Sequence, residues 1–493
     1  MKKIICCLPL WLVLQKAASQ SLEVNIDPGK TVQTIRNFAA SDAWSCQFVG
    51  NWQDSKRNQM ADWLFSTDTT VSGQPRGIGL SMWRFNIGAG SAEQGDSSGI
   101  RDEWRRAESF FSANQGYDWS KQAGQRWFLQ AARERGVKQF LGFLNSPPVA
   151  FTSNGKAFAN HGKCNLAPDR YQAAAEYVTA VVQGIRRTMG ITFNFLSPVN
   201  EPQWDWSDGG QEGCPYDNDE IYGFTKAIAA SFHKARLPTQ LLLTEAGQLN
   251  YLYAPNGKPA SGQQIETFFR KGNPDRIYKG IAAHSYFTTS PEDTAIAIRK
   301  RVAAALNGIE FWQSEYCILG DNAGEMNGAG VDLGMDAALY MARVIHTDLT
   351  VANASAWQWW LAVSPYNYKD GLIYVDKHKT DGEIHDTKMM WVLGNYSRFI
   401  RPGAKRVLVS EAGDTGKAIR ISAFSNINHQ ICIVIINSGN SQATVDIHCK
   451  GMQKGNMRSY TTNSKGSLQP GFTSGTVAVI PPRAVVTLTG NIQ

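Results

Sequence analysis

The chain has 493 residues, of which 43% are hydrophobic and 18% are charged, a balance that is typical of a soluble globular protein and excludes extensive disorder. Its formal net charge is +7, yet no dense basic run with interleaved aromatic residues occurs, which argues against nucleic-acid binding. After the first 20 residues no apolar run reaches membrane-spanning length, so we expect no membrane partner.

The first 20 residues have the layout of a secretory signal peptide. Met1-Lys2-Lys3 is followed by an apolar run from Ile4 to Leu14 and then by small and polar residues. The sequence therefore predicts an exported protein, secreted or periplasmic, whose mature chain begins near Gln20 or Ser21.

Six cysteines lie outside the predicted signal peptide. No two of them have the CxxC spacing of a structural zinc site. Export permits disulfides, and Cys164 with Cys214 is our candidate pair because both lie in loops around the predicted strand that leads to Glu201. Buried free thiols are the alternative.

Strand-like and helical segments alternate from residue 37 to residue 400, a pattern typical of a parallel α/β sheet. Helices are predicted between the strands, for example from Trp119 to Arg135 and from Pro168 to Met189, each followed by a glycine. Eight segments are predicted as strands: Ile35 to Ala40, Gly79 to Ile87, Lys138 to Leu144, Phe193 to Val199, Gln240 to Leu243, Gly280 to His284, Gly308 to Gln313 and Ala354 to Trp359. Eight strands with intervening helices predict an α/β protein with a closed (β/α)8 TIM barrel.

After Pro402 short segments alternate apolar and polar residues between Gly, Ser and Asn turns. This pattern predicts a C-terminal antiparallel β-sandwich, and we expect the amphipathic segment from Leu22 to Ile26 to pair with its sheet. The predicted organisation is a signal peptide over 1–20, an N-terminal strand over 21–36, the barrel over 37–400 and the sandwich over 401–493.

The fourth and seventh predicted strands each end in a glutamate. Asn200-Glu201-Pro202 follows the fourth strand, where the proline prevents further ladder pairing, and Ser314-Glu315-Tyr316 follows the seventh. Trp204 and Trp206 come soon after the first of these acids and offer flat apolar surfaces that suit stacking on sugar rings. Two carboxyl groups at the mouth of one barrel predict cleavage of a glycosidic bond.

Other candidate residues have competing interpretations. Glu310 lies at the start of the seventh predicted strand, where barrel residues serve stability, so Glu315 is preferred. Glu245 ends the fifth predicted strand, and both a hydrogen bond to substrate and a structural salt bridge are open roles for it. Trp357 and Trp359 share one side of the eighth strand; such tryptophans commonly pack in the core, but one of them, with Trp359 as our candidate, is interpreted as the floor of a sugar subsite.

Several other chemistries lack support in the sequence. His284 has no second His or acid at metal-ligand spacing, so no metal site is expected there. No Gly-x-Ser-x-Gly elbow follows a strand, and neither a phosphate-binding loop nor a dinucleotide fingerprint is present. We therefore expect no cofactor.

Motifs mark the ends of seven of the eight predicted strands, in the order Ser41-Asp42-Ala43-Trp44, Trp83-Arg84-Phe85-Asn86-Ile87-Gly88, Asn145-Ser146-Pro147-Pro148, Asn200-Glu201-Pro202, His284-Ser285-Tyr286, Ser314-Glu315-Tyr316 and Trp357-Gln358-Trp359. Together these motifs resemble glycoside hydrolase family 30, in particular its endo-β-1,6-galactanase-like branch. The resemblance covers the whole predicted mature chain, because that family joins a (β/α)8 barrel to a β-domain built from both ends of the sequence.

The resemblance implies a retaining mechanism in which Glu201 is the general acid/base and Glu315 is the nucleophile. We expect Arg84 and Tyr286 to hold Glu315, and Asn200 to bind the sugar 2-hydroxyl. The chain departs from the family pattern at Val149, where an aromatic residue is common, and this affects part of the substrate-binding wall. The predicted substrate-binding residues are Asp42, Trp44, Arg84, Asn145, Asn200, Trp204, Glu245, His284, Tyr286 and Trp359.

The sequence therefore predicts an exported, monomeric, retaining β-glycosidase that acts on a polysaccharide or oligosaccharide, with endo-β-1,6-galactanase as the preferred specificity. The alternatives are another family 30 specificity, such as β-1,6-glucanase, xylanase, β-xylosidase or β-fucosidase, and a carbohydrate-binding protein that kept the fold without turnover. The presence of both Glu201 and Glu315 argues against the last of these.

Overall fold

The computed structural model describes residues 20–270, 276–320, 322–412, 418–453 and 455–492. Residues 1–19 of the predicted signal peptide lie outside the described residues. Two units of structure are present, a barrel and a β-domain, and each has a buried hydrophobic core. None of the helices in these ranges is both long and apolar enough to cross a membrane.

Eight parallel strands form a closed barrel, which confirms the predicted fold class. Barrel strands 1 to 8 are, in chain order, Asn37–Ser41, Met82–Asn86, Gln139–Phe143, Phe195–Ser197, Gln240–Ala246, Ile277–His284, Glu310–Glu315 and Ala354–Ser364. Strand 8 pairs in parallel with both strand 7 and strand 1 and so closes the cylinder. Two short strands, Gly371–Val375 and Ile384–Asp386, continue the sheet beyond strand 8. The carboxyl ends of all eight barrel strands meet at one rim, where residues that follow different strands converge.

The inside of the barrel is filled by a layer of side chains of very different size. Trp312 on strand 7 is fully buried there, and it fits because several of its neighbours in the layer are alanines. The members of this layer are Ala39, Met82, Leu141, Leu242, Ala282, Trp312 and Ala356. The position of Ala356 shows which face of strand 8 points inward, so residues 358 and 360 point to the same side.

Helices surround the barrel, and local sequence signals fix where they begin and end. Asp217 and Glu220 form a capping box at the start of one helix, and Gly190, with φ of 67°, ends another. The longer helices are Asp54–Phe65, Ala123–Glu134, Tyr171–Met189, Asn218–Lys234, Glu292–Leu306, Met335–Thr350 and Lys388–Ser397. The short helical segments are Cys46–Val49, Ser91–Gln94, Gly95–Ser98, Glu103–Arg105, Val149–Phe151, Pro168–Arg170, Asn250–Tyr253 and Glu266–Arg270.

Within the described residues, nine strands from both ends of the chain form the β-domain. They are Gln20–Thr34, Lys405–Ala412, Ile419–Ser425, Gln430–Asn437, Ala443–Cys449, Arg458–Thr462, Gln469–Phe472, Val477–Ile480 and Ala484–Asn491. The N-terminal strand lies between two C-terminal ones, antiparallel to Lys405–Ala412 and parallel to Ala443–Cys449. Its Leu22, Val24 and Ile26 are buried in the core of this domain, which confirms that the β-domain takes up the N-terminal strand.

All six cysteines in the described ranges are free thiols. The sulfur atoms of Cys164 and Cys214 are 3.7 Å apart, and the Cys214 thiol also donates to Asn165 Oδ1. The structure therefore brings the candidate pair together as neighbouring thiols rather than as a disulfide.

Candidate active site

A cavity of about 1100 Å³ opens at the carboxyl ends of the barrel strands. This volume exceeds the usual range for a single small ligand, roughly 300–1,000 Å³. Trp44, Arg105 and Trp360, which lie on or after strands 1, 2 and 8, are among its wall residues. Trp204 and Gln211, which follow strand 4, also line it, and Glu201 and Glu315 lie on the wall of the same cavity. The position matches the place where barrel enzymes carry their active sites.

At the rim of the barrel, the backbone at Glu201 turns away from the direction of strand 4. Its φ is 45°, a left-handed conformation that is uncommon outside glycine, and its amide donates to the carbonyl of Glu245 at the end of strand 5. The following Pro202 cannot donate to a ladder. Trp206 then donates its indole N–H to the Glu201 carbonyl at 3.0 Å, which ties the loop to the acid. These contacts hold the Glu201 carboxyl group at the cavity wall.

Glu315, the last residue of strand 7, is held by two side chains from other strands. Arg84 Nη1 of strand 2 donates to Glu315 Oε2 at 2.5 Å, and the Tyr286 hydroxyl donates to Oε1 at 3.0 Å. The same Arg84 donates through Nη2 to Asn200 Oδ1 at 3.0 Å. Asn200 Nδ2 donates to no group in the described part of the chain, so its amide remains free for a ligand at the cavity wall.

His284 connects the two halves of the site. Its Nδ1 lies 2.9 Å from Glu201 Oε1 and 3.7 Å from Glu315 Oε1, and its Nε2 lies 3.1 Å from Glu245 Oε2. Ligand atoms of Glu201, His284 and Glu315 all lie within 4.8 Å of one another. The two predicted catalytic carboxyl groups, 114 residues apart in sequence, are therefore close neighbours in space.

The surroundings of Glu201, Glu245 and His284 shift the pKa values of these three side chains in different directions. Burial raises the pKa of Glu201, although the hydrogen bond and charge of His284 act against it. Burial also opposes ionisation of Glu245, but Arg84 and His284 outweigh it and lower the pKa of Glu245 to about 2. Burial disfavours the His284 cation, yet the surrounding carboxylates, Glu315 foremost, raise the pKa of His284 to about 9. At neutral pH Glu245 is thus an anion and His284 a cation.

Comparison with known proteins identifies the family. Residues 21–374 match the description "O-Glycosyl hydrolase family 30", and residues 403–488 match "Glycosyl hydrolase family 30 beta sandwich domain". The chain belongs to glycoside hydrolase family 30. Its membership establishes O-glycosyl hydrolase activity and a carbohydrate substrate.

Three relatives illustrate how far the similarity extends. An endo-β-1,6-galactanase from Hypocrea rufa is 26% identical over 491 residues, which cover 95% of this chain and 90% of the relative. A conserved exported protein from Bacteroides fragilis has a solved structure with 32% identity, a TM-score of 0.87 and coverage of 94% of this chain and 99% of that one. The catalytic domain of the family 30 xylanase C from Talaromyces cellulolyticus has 22% identity, a TM-score of 0.70 and coverage of 95% and 100%, which shows a shared fold.

The predicted substrate-binding residues of this family 30 hydrolase separate into two groups. Those on the cavity wall are Trp44, Asn200, Trp204 and Tyr286. Those behind the wall are Asp42, Arg84, Asn145, Glu245, His284 and Trp359, which are at most 1% exposed. Members of the second group act on other protein groups in this structure. Asp42 accepts from the Asn86 amide at 2.7 Å, and Asn145 donates to Asn86 Oδ1 at 3.2 Å, so both buttress strand 2 rather than the cavity.

Trp359 does not form the floor of a subsite in this structure. Odd-numbered residues of strand 8 point outward: Trp357 donates to Asp348 on a surrounding helix, and Trp359 donates to the Asp370 carbonyl at 2.6 Å. Trp360 lies on the inward face with Ala356 and reaches the cavity wall. It meets Trp44 edge to face with ring centroids 5.3 Å apart. The prediction had the alternation right but assigned the wrong face to the cavity.

Several wall residues of the family 30 hydrolase were not predicted. Arg105 comes from the long segment after strand 2, and Tyr366, Tyr368 and Asp370 come from the segment after strand 8. The predicted eighth strand ended at Trp359, so none of these residues stood at a predicted strand end, where the sequence carries a recognisable signal. Val149, the departure from the family pattern, lies outside the set of wall residues.

The cluster of Glu201, His284 and Glu315 has the composition of a metal site, but its chemistry is different. An imidazolium has no free lone pair, and both ring nitrogens of His284 face carboxylates. Arg84 adds a second fixed positive charge beside Glu315. The donor set therefore suits a hydrogen-bonded charge cluster better than a cation.

Proposed function

We propose that this family 30 hydrolase cleaves β-glycosidic bonds with retention of configuration by double displacement. The observation that carries the proposal is the spacing of Glu201 and Glu315, since one carboxylate oxygen of Glu201 lies within 4.8 Å of one carboxylate oxygen of Glu315. Retaining glycosidases place their carboxyl groups about 5–5.5 Å apart, whereas inverting enzymes need roughly 6.5–9.5 Å to admit a water molecule.

The proposed roles follow from the two environments. Glu315, ion-paired with Arg84, attacks the anomeric carbon while the glycosidic C–O bond breaks and Glu201 gives its proton to the leaving oxygen. Glu201 then takes a proton from water as that water attacks the glycosyl-enzyme and frees Glu315. Asn200, with its free amide N–H, is suited to bind the sugar 2-hydroxyl in both steps.

We propose β-1,6-linked galactan as the substrate and internal cleavage as the mode of attack. The similarity to the Hypocrea endo-β-1,6-galactanase supports the linkage, with 26% identity over nearly the whole chain. The volume of the cavity, about 1100 Å³, and its lining by aromatic residues that follow different strands, such as Trp44 after strand 1 and Trp204 after strand 4, support endo action. Sugar units can therefore occupy both sides of the cleaved bond.

A product analysis tests this proposal. The protein is incubated with a β-1,6-galactan, a β-1,6-glucan and a xylan, and the products are separated by size while their anomeric protons are followed by NMR. We expect short galacto-oligosaccharides of mixed length from galactan, released first as β-anomers, and little release from the others. Release of α-anomers first would contradict retention, and preferred cleavage of glucan or xylan would replace the proposed specificity.

We also propose that the chain is exported. The N-terminal sequence from Met1 to Gln20 has signal-peptide character, and a Bacteroides fragilis relative with 32% identity is described as an exported protein. Sequencing of the mature N-terminus tests this: we expect it at Gln20 or Ser21, and an intact Met1 in the mature protein would contradict export by this route.

Trp360 is expected to be part of the sugar-binding wall. Replacing it with alanine should lower kcat/KM on the polysaccharide about 10- to 100-fold, which corresponds to a loss of roughly 1.4–2.7 kcal/mol of transition-state binding. Trp360→Phe should recover most of this loss because it keeps an apolar ring. Trp357→Phe is the matched control: its indole faces a surrounding helix, so it should lower the melting temperature without changing kcat/KM. An unchanged kcat/KM in Trp360→Ala would remove Trp360 from the binding wall.

A further inference from the structure

Glu245 has no contact with the cavity, yet it is the most highly bonded carboxylate near the site. It is fully buried, and it accepts hydrogen bonds from Ser197 of strand 4 and Ser314 of strand 7, each at 2.5 Å. His284 Nε2 of strand 6 lies 3.1 Å from it and Arg84 Nη2 of strand 2 lies 3.5 Å from it. Glu245 thus joins four strands, including both that carry the proposed catalytic residues.

We propose that Glu245 is a positioning residue that keeps His284 as an imidazolium, and that this cation balances the negative charge as it moves from Glu315 to Glu201 during the reaction. This inference rests on the proposed function, because it assigns the charge movement to double displacement. It adds a role for two buried residues that do not touch the substrate.

The geometry of His284 supports this role. Its Nδ1 faces both carboxyl groups, at 2.9 Å from Glu201 and 3.7 Å from Glu315. In the proposed mechanism the free enzyme starts with Glu315 as the nucleophilic carboxylate and Glu201 as the acid that carries the proton. After the glycosidic bond breaks, Glu315 is bound to the sugar as a neutral ester and Glu201 has lost its proton to the leaving group. The negative charge has then moved from Glu315 to Glu201, and His284 Nδ1 faces both of these carboxyl groups.

Glu245 balances the positive charge around His284. The titratable and charged groups around His284 are Arg84 on strand 2, Glu201 after strand 4, Glu245 on strand 5, Tyr286 after strand 6 and Glu315 on strand 7. Cys317, after strand 7, contacts the Tyr286 hydroxyl. Burial raises the pKa of both Tyr286 and Cys317, so both stay neutral. Two cations, Arg84 and His284, then face two anions, Glu245 and one catalytic glutamate, in the free enzyme and in the glycosyl-enzyme alike. Without Glu245 the buried cluster would carry an excess positive charge, which burial opposes.

The protonation state of His284 can be measured directly by NMR of protein labelled with ¹⁵N-histidine. In the wild type we expect both ring nitrogens of His284 to be protonated at neutral pH and to titrate near pH 9. His346 is an internal contrast, since burial and nearby arginines lower its pKa to about 3 and keep it neutral. A neutral His284 in the wild type at pH 7 would overturn the proposal without the use of any variant.

Glu245→Gln should lower the titration of His284 by on the order of 2 pH units. With an activated aryl β-glycoside, for which the second step limits turnover, kcat and KM should both fall by about 10- to 100-fold, because a neutral His284 no longer stabilises the Glu201 anion that must accept a proton from water in the glycosyl-enzyme. Glu245→Asp should recover part of both effects. Glu310→Gln is the matched control: it alters a glutamate on strand 7 that pairs with Arg36 at the opposite end of the barrel, and it should change neither readout.

The role of Glu245 can also be tested with a second variant and can be overturned by a specific result. If Glu245→Gln does not fold, Glu245→Asp keeps the negative charge on a shorter side chain, so it should weaken the contact with His284 Nε2 and lower the His284 titration by a smaller amount. An unchanged titration in a folded Glu245→Gln protein would overturn the inference. Failure of the proposed function is separate: it would appear as inversion of configuration or as an active Glu315→Ala enzyme, with the His284 titration as expected.

Discussion

Replacing Glu315 with alanine is expected to remove nearly all hydrolysis, lowering kcat roughly 10⁴- to 10⁶-fold, the range seen when a hydrolase loses its covalent nucleophile. The reason is that the covalent intermediate needs a carboxylate on the face of the sugar opposite the leaving group, and neither of the other two glutamates in the cluster is suited to supply it. Glu201 is committed to the leaving oxygen, and Glu245 is fully buried behind the wall. Initial rates on an aryl β-glycoside provide the measurement.

Adding azide to Glu315→Ala shows whether the variant is inactive because it lacks the nucleophile or because it has lost its structure. The ion can enter the space left by the carboxylate, close to Arg84, and displace the leaving group directly. We expect slow formation of the α-glycosyl azide, because only one inversion occurs. Circular dichroism and thermal melting should confirm that the variant folds. A folded variant with near wild-type turnover would remove Glu315 from the mechanism.

The strands and the two glutamates could be predicted because both depend on short stretches of sequence. Parallel barrel strands are buried apolar runs, so all eight were recognisable, and each glutamate ends such a run. Leu22, Val24 and Ile26 alternate with polar residues, which predicted a half-buried strand that belongs to the β-domain. The alternation of apolar and polar residues is weak in strands Lys405–Ala412 and Gln469–Phe472, because much of each strand is exposed, so the sequence pattern does not locate them.

The roles of individual residues behind the rim depend on which side of a strand faces inward, and sequence alone leaves that open. Alternation placed Trp357 and Trp359 on one face of strand 8, but it did not reveal that Ala356 marks the inner face. Glu245 ended its strand like a substrate-binding residue, and the structure favours the salt-bridge alternative instead. Arg105 reaches the cavity from a long segment, whose path depends on tertiary packing.

Replacing Glu201 with alanine is expected to have an effect that depends on the substrate. On polysaccharide, whose leaving hydroxyl needs a proton, the rate should fall about 10²- to 10⁴-fold, the usual contribution of general acid catalysis. On a dinitrophenyl β-glycoside the first step needs no proton, so the glycosyl-enzyme should form at close to the normal rate and then accumulate. A burst of dinitrophenol followed by slow turnover is the expected signature.

Azide and pH complete the test of Glu201. Azide should restore turnover of the dinitrophenyl glycoside and yield the β-glycosyl azide, the opposite anomer to that from Glu315→Ala, because two inversions have occurred. Burial raises the pKa of Glu201, and the protonated form is the one that donates. Wild-type activity on polysaccharide should therefore persist above the ordinary glutamate range and fall as the pH rises through this raised pKa. The variant should lose that alkaline limb, and a limb that persists unchanged would assign the acid to another group.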